Sequence, residues 1–598
     1  MKRHSKFLTL FLALAMLMAF TLPMTVSAVG ENGSITINSP GRLVLDKDDF
    51  FAYKLFDVNV TTKGSGSTTS FEFFYIPTAE VKAFLKAVKA DTSLDLGDYG
   101  VTTDPTGGPA AETAAALEFL AYLQAGPSED DLIELAKVLI AKVSSLSDSG
   151  TASLVDEKNV KISGLDYGYY LVTAQGLYVD PDNANHTEPD REHEDKVISR
   201  GILCNVPGVK PGDPDELEDD VTVNLKADAP MIDKEVWNHG TDDPGTSAPG
   251  SSTGGAKWDS WTDVNVGDTV YFKHTTSVPD MKGYDSYTFI VHDLMSKGLT
   301  FDPSSVVIKI GSTTLSGNVS TPAGTQFTVS PATKQAVADD TEITITFHDF
   351  IDWKAQKDAV IEITYAAELN KLAVIGAGAP GNFNEVQLEY SNNPHDTNEK
   401  TKTPWHRVRV YTFDLKIFKF TGKMEDGTLG VDYFALPGAE FNLTADGASS
   451  PMKFRKLVSG DVGYGTYDYI VDDSGSPTLV SAADGYIRIK GLDAGLYELE
   501  ETVAPPGGFV AGFKTTIEIK HTLSSGGKGT GNSTLEVEGT PVSPQQVNVE
   551  NNAGGQLPGT GGIGTYIFYG VGIAMAILLT AAFIIYRRRK TLGALDAA

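Results

Sequence analysis

Apolar and polar residues alternate with a period of two through most of the chain, and the alternation is broken by glycine-punctuated turns. Such a pattern predicts half-buried strands. Between residues 221 and 409 the runs DTVYFKHTT, YTFIVHD, SVVIKI, EITITF, AVIEITYAAEL and EVQLEY follow one another. Between residues 410 and 552 the runs FDLKIFKF, AEFNLTA, YIRIKGL, LYELEET, KTTIEIKH and QQVNVEN do the same. Each series reads as an immunoglobulin-like or related β-sandwich. Residues 29–205 differ. Strands at SITI and FFAYKLFDV give way to a period near 3.6 over Ala79–Ala90, Ala110–Ala125 and Asp130–Leu146, and strands return at NVKISGL and GYYLVTA. The expected fold is therefore mainly β: tandem sandwiches preceded by an α+β domain with a helical insertion. A Pro/Gly/acidic stretch, residues 206–220, reads as a linker before the second domain.

The ends stand outside this scheme. Lys2, Arg3 and Lys6, an apolar run from Phe7 to Phe20, and Val26-Ser27-Ala28 form a secretory signal peptide over residues 1–28. Near the other end, residues 566–586 carry no charge and suffice to span a bilayer as a helix, and Arg587, Arg588, Arg589 and Lys590 begin a basic cytoplasmic tail over residues 587–598. The net charge of -30 repels nucleic acid and anionic lipid, so neither is expected as a partner. Cys204 is the single cysteine, so an exported chain of this size has no internal disulfide available. His186 and His193 sit in a polar loop without metal-ligand spacing, and no metal or cofactor is expected.

Strand parity brings out the chemistry. In the second domain Lys234 shares a face with Ile232 and Val236, Asp293 with Phe289 and Val291, and Asn392 with Val386, Leu388 and Tyr390. In the third, Lys419 lies on the face of Leu415 and Ile417, Glu501 on that of Tyr497 and Leu499, and Asn551 on that of Val547 and Val549. A lysine, an acid and an amide in one core are costly unless they serve one another. Burial disfavours the ammonium, and a neutral lysine amine is a nucleophile. With Asp293 or Glu501 as the acid that polarises the amide and shuttles protons, attack on the asparagine gives a Lys–Asn isopeptide bond and ammonia. Folding supplies the proximity, and the bond would tie first to last strand. The alternative is that each lysine snorkels to solvent and each asparagine caps a turn. The first domain has no inward lysine on SITI, and no bond is expected there.

The order Leu557-Pro558-Gly559-Thr560-Gly561, apolar span, basic tail resembles the Gram-positive cell-wall sorting signal. The resemblance implies that a sortase cuts between Thr560 and Gly561 and passes the Thr560 carboxyl to an amine. The segment YELEETVAPPGGF resembles the E-box of Gram-positive pilins, and VGDTV, FIVHDLMSKGLTF and YSNNP resemble their middle isopeptide domain. With SITI, AYKLFDV and GLDYGYYLV, the chain is similar nearly throughout to the major subunit of sortase-assembled pili, with Cna-B-like sandwiches. That resemblance implies a non-enzymatic backbone pilin joined to copies of itself, with sortases, peptidoglycan and minor pilins as partners. Family members carry an acceptor lysine in a motif ending YPK. Here Val221, Val223 and Lys226 match that motif while Asn224-Leu225 replaces Tyr-Pro, so Lys226 is the expected acceptor and Lys210 the alternative. A monomeric wall-anchored adhesin, with the sandwiches as its stalk, is the competing reading.

Overall fold

The alternating segments pair into sandwiches in a computed structural model of the chain. It describes residues 33–39, 43–63, 70–156, 158–174, 177–179, 196–213, 216–225, 229–239, 249, 256–318, 326–334, 339–376, 378–396, 398–422, 424–425, 428–429, 433–523, 531–543, 545–551 and 563–595.

The first domain places strands β1 (Gly33–Asn38), β2 (Phe50–Lys63), β3 (Ser70–Pro77), β4 (Asn159–Leu165), β5 (Gly168–Ala174), β6 (Ile202–Val206) and β7 (Asp220–Asn224) around three helices. One sheet runs β7-β1-β4 and ends on Thr151–Asp156, and a second runs β6-β5-β2-β3. The helical insertion is α1 (Ala79–Ala90), α2 (Pro109–Gln124) and α3 (Glu129–Ala141). Thr78 caps α1 by accepting from the Val81 amide, and Ser128 with Asp131 forms a capping box on α3. Val81, Phe84, Leu85 and Val88 of α1 share one buried face, which joins Phe119 of α2 and Phe56 of β2 in a core of its own.

Strand β7 corrects the expected boundary. Residues 220–224 do not open the second domain; they add a parallel strand to β1, with Val221 opposite Ile35 and Val223 opposite Ile37. The Pro/Gly/acidic composition that suggested a domain boundary thus precedes a strand that finishes the first domain's sheet. Part of the expected linker is also ordered, since Gly208–Val209 pairs with Leu217–Glu218.

The middle domain is a two-sheet sandwich. Strands β8 (Asp233–Asn238), β9 (Thr269–Ser277), β11 (Leu299–Ile310) and β13 (Val360–Leu369) lie in one sheet in the order β8-β9-β13-β11. Strands β10 (Phe289–Met295), β12 (Thr341–Phe347), β14 (Asn382–Ser391) and β15 (His406–Tyr411) lie in the other in the order β15-β14-β10-β12. Alternate residues of each strand are buried, as in β10, where Phe289, Val291, Asp293 and Met295 face inward.

A single residue, Thr412, separates β15 from the third domain's first strand, β16 (Phe413–Thr421). The third domain continues with β17 (Glu440–Ala445), β18 (Tyr486–Leu492), β19 (Gly495–Val503), β20 (Lys514–Leu523), β21 (Gly531–Val537) and β22 (Val547–Glu550). Strands β22, β16 and β18 share one sheet, and β17-β19-β20-β21 form the other. The seam with the middle domain is hydrogen-bonded: the Val266 amide donates to Gly491 O at 2.9 Å, the Asp493 amide to Asn265 Oδ1 at 3.0 Å, and Thr412 Oγ1 to Leu492 O at 3.1 Å. The last described element is a helix, α4 (Ile563–Leu595), whose segment Tyr569–Arg588 has a mean hydropathy of 2.1 and is long and apolar enough to cross a membrane.

Candidate functional site

Lys234 occupies the inner parity of β8, between Ile232 and Val236, and is 1% exposed. The facing strands close over it. Its ammonium donates to Asp293 Oδ2 on β10 at 2.6 Å, to Asn384 Oδ1 on β14 at 2.7 Å and to the Tyr365 hydroxyl on β13 at 2.9 Å. Because an ammonium only donates, the atom it meets on Asn384 has to be the carbonyl oxygen, which leaves Nδ2 to point elsewhere. Nδ2 donates to the Tyr365 hydroxyl at 2.8 Å, and that hydroxyl donates to Asp293 Oδ2 at 2.5 Å. His274, opposite Lys234 on β9, brings Nε2 to 3.0 Å from the same carboxylate oxygen.

Aromatic rings wall the site. The Tyr365 ring stacks on Phe272 at 5.4 Å and meets the edge of Phe301 at 5.4 Å, and the Lys234 ammonium lies 5.5 Å from the Phe272 centroid. This enclosure sets the electrostatics. Burial pushes the Lys234 ammonium down to about 8, against the pull of Asp293. Burial and then the Lys234 charge push His274 down to about 4, so it is neutral. Burial pushes Asp293 up, but the Lys234 charge and the His274 contact outweigh it, and the carboxyl is held low. Burial and Asp293 hold the Tyr365 phenol well above its usual range.

The expected partner Asn392 is not at this site. It lies just beyond β14, where its backbone carbonyl accepts from the Ile198 amide at 3.0 Å, against the first domain. Asn384 and Asn392 share a parity, and parity repeats along the whole strand. Their separation corresponds to about 27 Å at the usual rise, a distance that parity leaves undetermined. Asn384 also lies on β14 rather than on the domain's final strand, which is β15.

The third domain assembles a second set. Lys419 on β16 is fully buried, and its ammonium lies 2.9 Å from Glu501 Oε1 on β19. Asn551 follows the last strand, β22, which runs parallel to β16 with Val549 opposite Lys419. Its amide nitrogen in the backbone donates to Phe420 O at 2.8 Å, and its side-chain Nδ2 donates to Glu501 Oε1 at 3.4 Å. Burial pushes Lys419 down, opposed by Glu501. Here all the expected residues meet, and a single carboxylate oxygen touches both lysine and amide.

Tyr365 and His274 escaped the sequence reading. Both lie on the inner parity, Tyr365 with Ile361 and Ile363, and His274 with Val270 and Phe272. The same rule that singled out Lys234 marks them too.

Other expected sites are placed unevenly. Lys226 and Leu557, Pro558, Gly559, Thr560 and Gly561 lie outside the described residues, as do residues 1–28, His186 and His193. Lys210 is exposed and bound to Glu216 at 2.7 Å. Cys204 packs at the edge of the core, where burial pushes its thiol up to about 12. Among the described residues no group of His, Cys, Asp and Glu could hold a metal ion.

Residues 266–394 match the family described as Gram-positive pilin backbone subunit 2, Cna-B-like domain, and residues 431–526 match the SpaA prealbumin-like fold domain. The trypsin-resistant surface T6 protein of Streptococcus pyogenes serotype M6 is 24% identical over 373 residues, which cover 54% of this chain and 66%, just under two thirds, of that protein. Among solved structures, the T6 backbone pilin of serotype M6 Streptococcus pyogenes is similar at 14% identity and a TM-score of 0.46, covering 88% of this chain and 100% of that one. The major pilin SpaD of Corynebacterium diphtheriae is similar at 15% identity and a TM-score of 0.39, covering 87% and 97%.

Proposed function

We propose that this chain, which by its domains belongs with the Gram-positive backbone pilins, is the repeating subunit of a sortase-built surface fibre and cross-links itself as it folds. The observation that carries the second half of this reading is the pair of buried Lys–acid–Asn sets, one per sandwich. An ion pair sealed from water is costly to keep and is often matched by apolar residues of similar volume. Chemistry that consumes the charges gives the arrangement a purpose. In each set the acid takes a proton from the ammonium, the freed amine attacks the asparagine carbonyl carbon, and ammonia leaves. The bonds are Lys234–Asn384 and Lys419–Asn551, with Asp293 and Glu501 as the acids. The chain has no enzymatic turnover beyond these single events.

The fibre half rests on the order of LPGTG, apolar helix and basic tail, and on the pilin-type domains. Sortase cleavage after Thr560 yields an acyl donor. The favoured acceptor is Lys226, which in the sequence comes two residues after the end of β7 and so lies far along the chain from the donor. Attachment of the last subunit to peptidoglycan, and minor pilins at the fibre ends, complete the reading. Cell-wall extracts boiled in detergent should show a high-mass ladder that Lys226→Ala abolishes, with monomer still folded and wall-attached, and that Lys210→Ala leaves intact. A single anchored species from wild-type cells would establish the monomeric adhesin instead. A ladder that survives Lys226→Ala and vanishes in Lys210→Ala would keep the fibre and move the acceptor.

A further inference from the structure

The middle site contains a hydroxyl that the Lys–acid–Asn scheme leaves without a task. Asparagine is a poor electrophile chiefly because its nitrogen leaves badly; it departs only after gaining a proton. In the third domain the acid touches that nitrogen itself. In the middle domain Asn384 Nδ2 donates to the Tyr365 hydroxyl at 2.8 Å, and the hydroxyl in turn donates to Asp293 Oδ2 at 2.5 Å. Tyr365 thus stands between the acid and the leaving group, in contact with both and with the attacking Lys234 ammonium at 2.9 Å.

We propose that Tyr365 is a catalytic residue of the middle-domain cross-link, relaying a proton from Asp293 to the departing nitrogen of Asn384. This rests on the cross-link reading above and deepens it. Lys234 first gives a proton to Asp293 and becomes an amine. The amine's lone pair forms the Nζ–Cγ bond to Asn384 while the carbonyl π pair moves to Oδ1. With Asp293 now protonated, the hydrogen bonds through Tyr365 reverse. Asp293 donates to the phenol oxygen, and the phenol passes its own proton to Nδ2. The oxyanion pair returns to form the carbonyl, the Cγ–Nδ2 bond breaks, and ammonia leaves. A second proton from Nζ passes to Asp293. The three ammonium protons of Lys234 are thus divided among the new amide, the departing ammonia and Asp293, and Tyr365 is regenerated.

Geometry favours a relay over a spectator role. The phenol is buried, and its ring is held between Phe272 and Phe301, which aims the hydroxyl into the site. Its polar contacts are the three reacting groups. His274 approaches the same carboxylate, so it can position Asp293, whereas the hydrogen bond to the leaving nitrogen is made by Tyr365.

The test follows both cross-linked peptides by mass spectrometry after digestion of the full chain, sampled over time from a cell-free synthesis. The Lys419–Asn551 peptide is the internal reference. In Tyr365→Phe the ring packing is kept and the proton path is cut. The Lys234–Asn384 peptide is expected to form at least about a hundredfold more slowly, the usual worth of a positioned acid–base group, with the reference unchanged. Because Tyr365→Phe could also disturb folding, 3-fluorotyrosine and 3,5-difluorotyrosine at position 365 provide a second series. They keep the shape and change only the acidity of the phenol, and the rate is expected to shift progressively with fluorination. Wild-type rates in Tyr365→Phe, or rates blind to fluorination, overturn the proposal while the cross-link reading stands. No Lys234–Asn384 peptide in the wild-type chain removes both.

Discussion

On the cross-linking proposed above, the two sandwiches would solve one chemical problem with different reach. In the third domain Glu501 places one oxygen at 2.9 Å from the Lys419 ammonium and 3.4 Å from Asn551 Nδ2. In the middle domain the acid is an aspartate, shorter by one carbon. Its oxygen meets Lys234 at 2.6 Å, while the amide nitrogen is met by Tyr365. The difference teaches that the acid's length and the neighbouring hydroxyl are one variable. On that reading the glutamate spans the distance to the amide by itself, and the phenol of Tyr365 makes up the gap that the aspartate leaves. Both sites share the feature that makes such chemistry possible, a lysine whose ammonium is disfavoured by burial.

The largest effect expected from breaking the comparison is loss of a link altogether. Asn384→Ala and Asn551→Ala should each remove one cross-linked peptide and leave the other. Each should cost about 5 kcal/mol of stability, by analogy with a covalent closure of a long loop, seen as a lower thermal midpoint and new protease sensitivity in that sandwich alone. Asn392→Ala should change neither peptide; loss of the Lys234 link in that variant would restore Asn392 as the partner. The next effect concerns reach. Glu501→Asp withdraws the carboxylate from Asn551, and the time course of the Lys419–Asn551 peptide should slow by about a hundredfold. An undiminished rate would show that the span of the acid is not what separates the two sites. Glu501→Ala should leave that link unmade.

The smallest effect is a pH dependence. In Asn384→Ala the lysine stays buried and unlinked beside Asp293, His274, Tyr365 and Glu385. A lysine held down to about 8 when folded binds fewer protons than its unfolded counterpart between that value and its ordinary one near 10.5. The unfolded chain therefore takes up the extra proton, and stability rises with pH across that window. The thermal midpoint of Asn384→Ala should climb from pH 8 to pH 10, while the cross-linked wild type, whose amine is consumed, lacks this contribution. A flat profile would mean that Asp293 holds the ammonium as firmly as water does.

How much of this was legible beforehand follows from what parity encodes. It says which face a residue takes, and it put Lys234, Asp293, Lys419, Glu501 and Asn551 on the buried face, where the structure has them. It does not say how far along a strand two residues meet, and Asn382, Asn384 and Asn392 all satisfy it. Only the register of β14 against β10, with Asn384 opposite Met295 and Val386 opposite Asp293, selects among them. Tyr365 and His274 were readable by the same rule, but each passes for an ordinary core aromatic until its neighbours are known. The helices were legible to within a few residues because caps and a 3.6 period agree, as at Thr78 and Ser128. The role of β7 was not, because a strand's sequence does not name the sheet it joins.

The single residue between β15 and β16 has a mechanical consequence. In a fibre joined from Lys226 to Thr560, tension entering near Lys226 would reach Lys234 after a few residues and cross the new amide to Asn384. It would then run along β14 and β15, pass Thr412 into β16, and cross from Lys419 to Asn551 before leaving toward Thr560. Everything between Lys234 and Asn384, and between Lys419 and Asn551, hangs off that path as an unloaded loop. Force would then have no means of peeling either sandwich open, and the fibre would stretch only where domains meet, with Thr412 as the shortest of those joints.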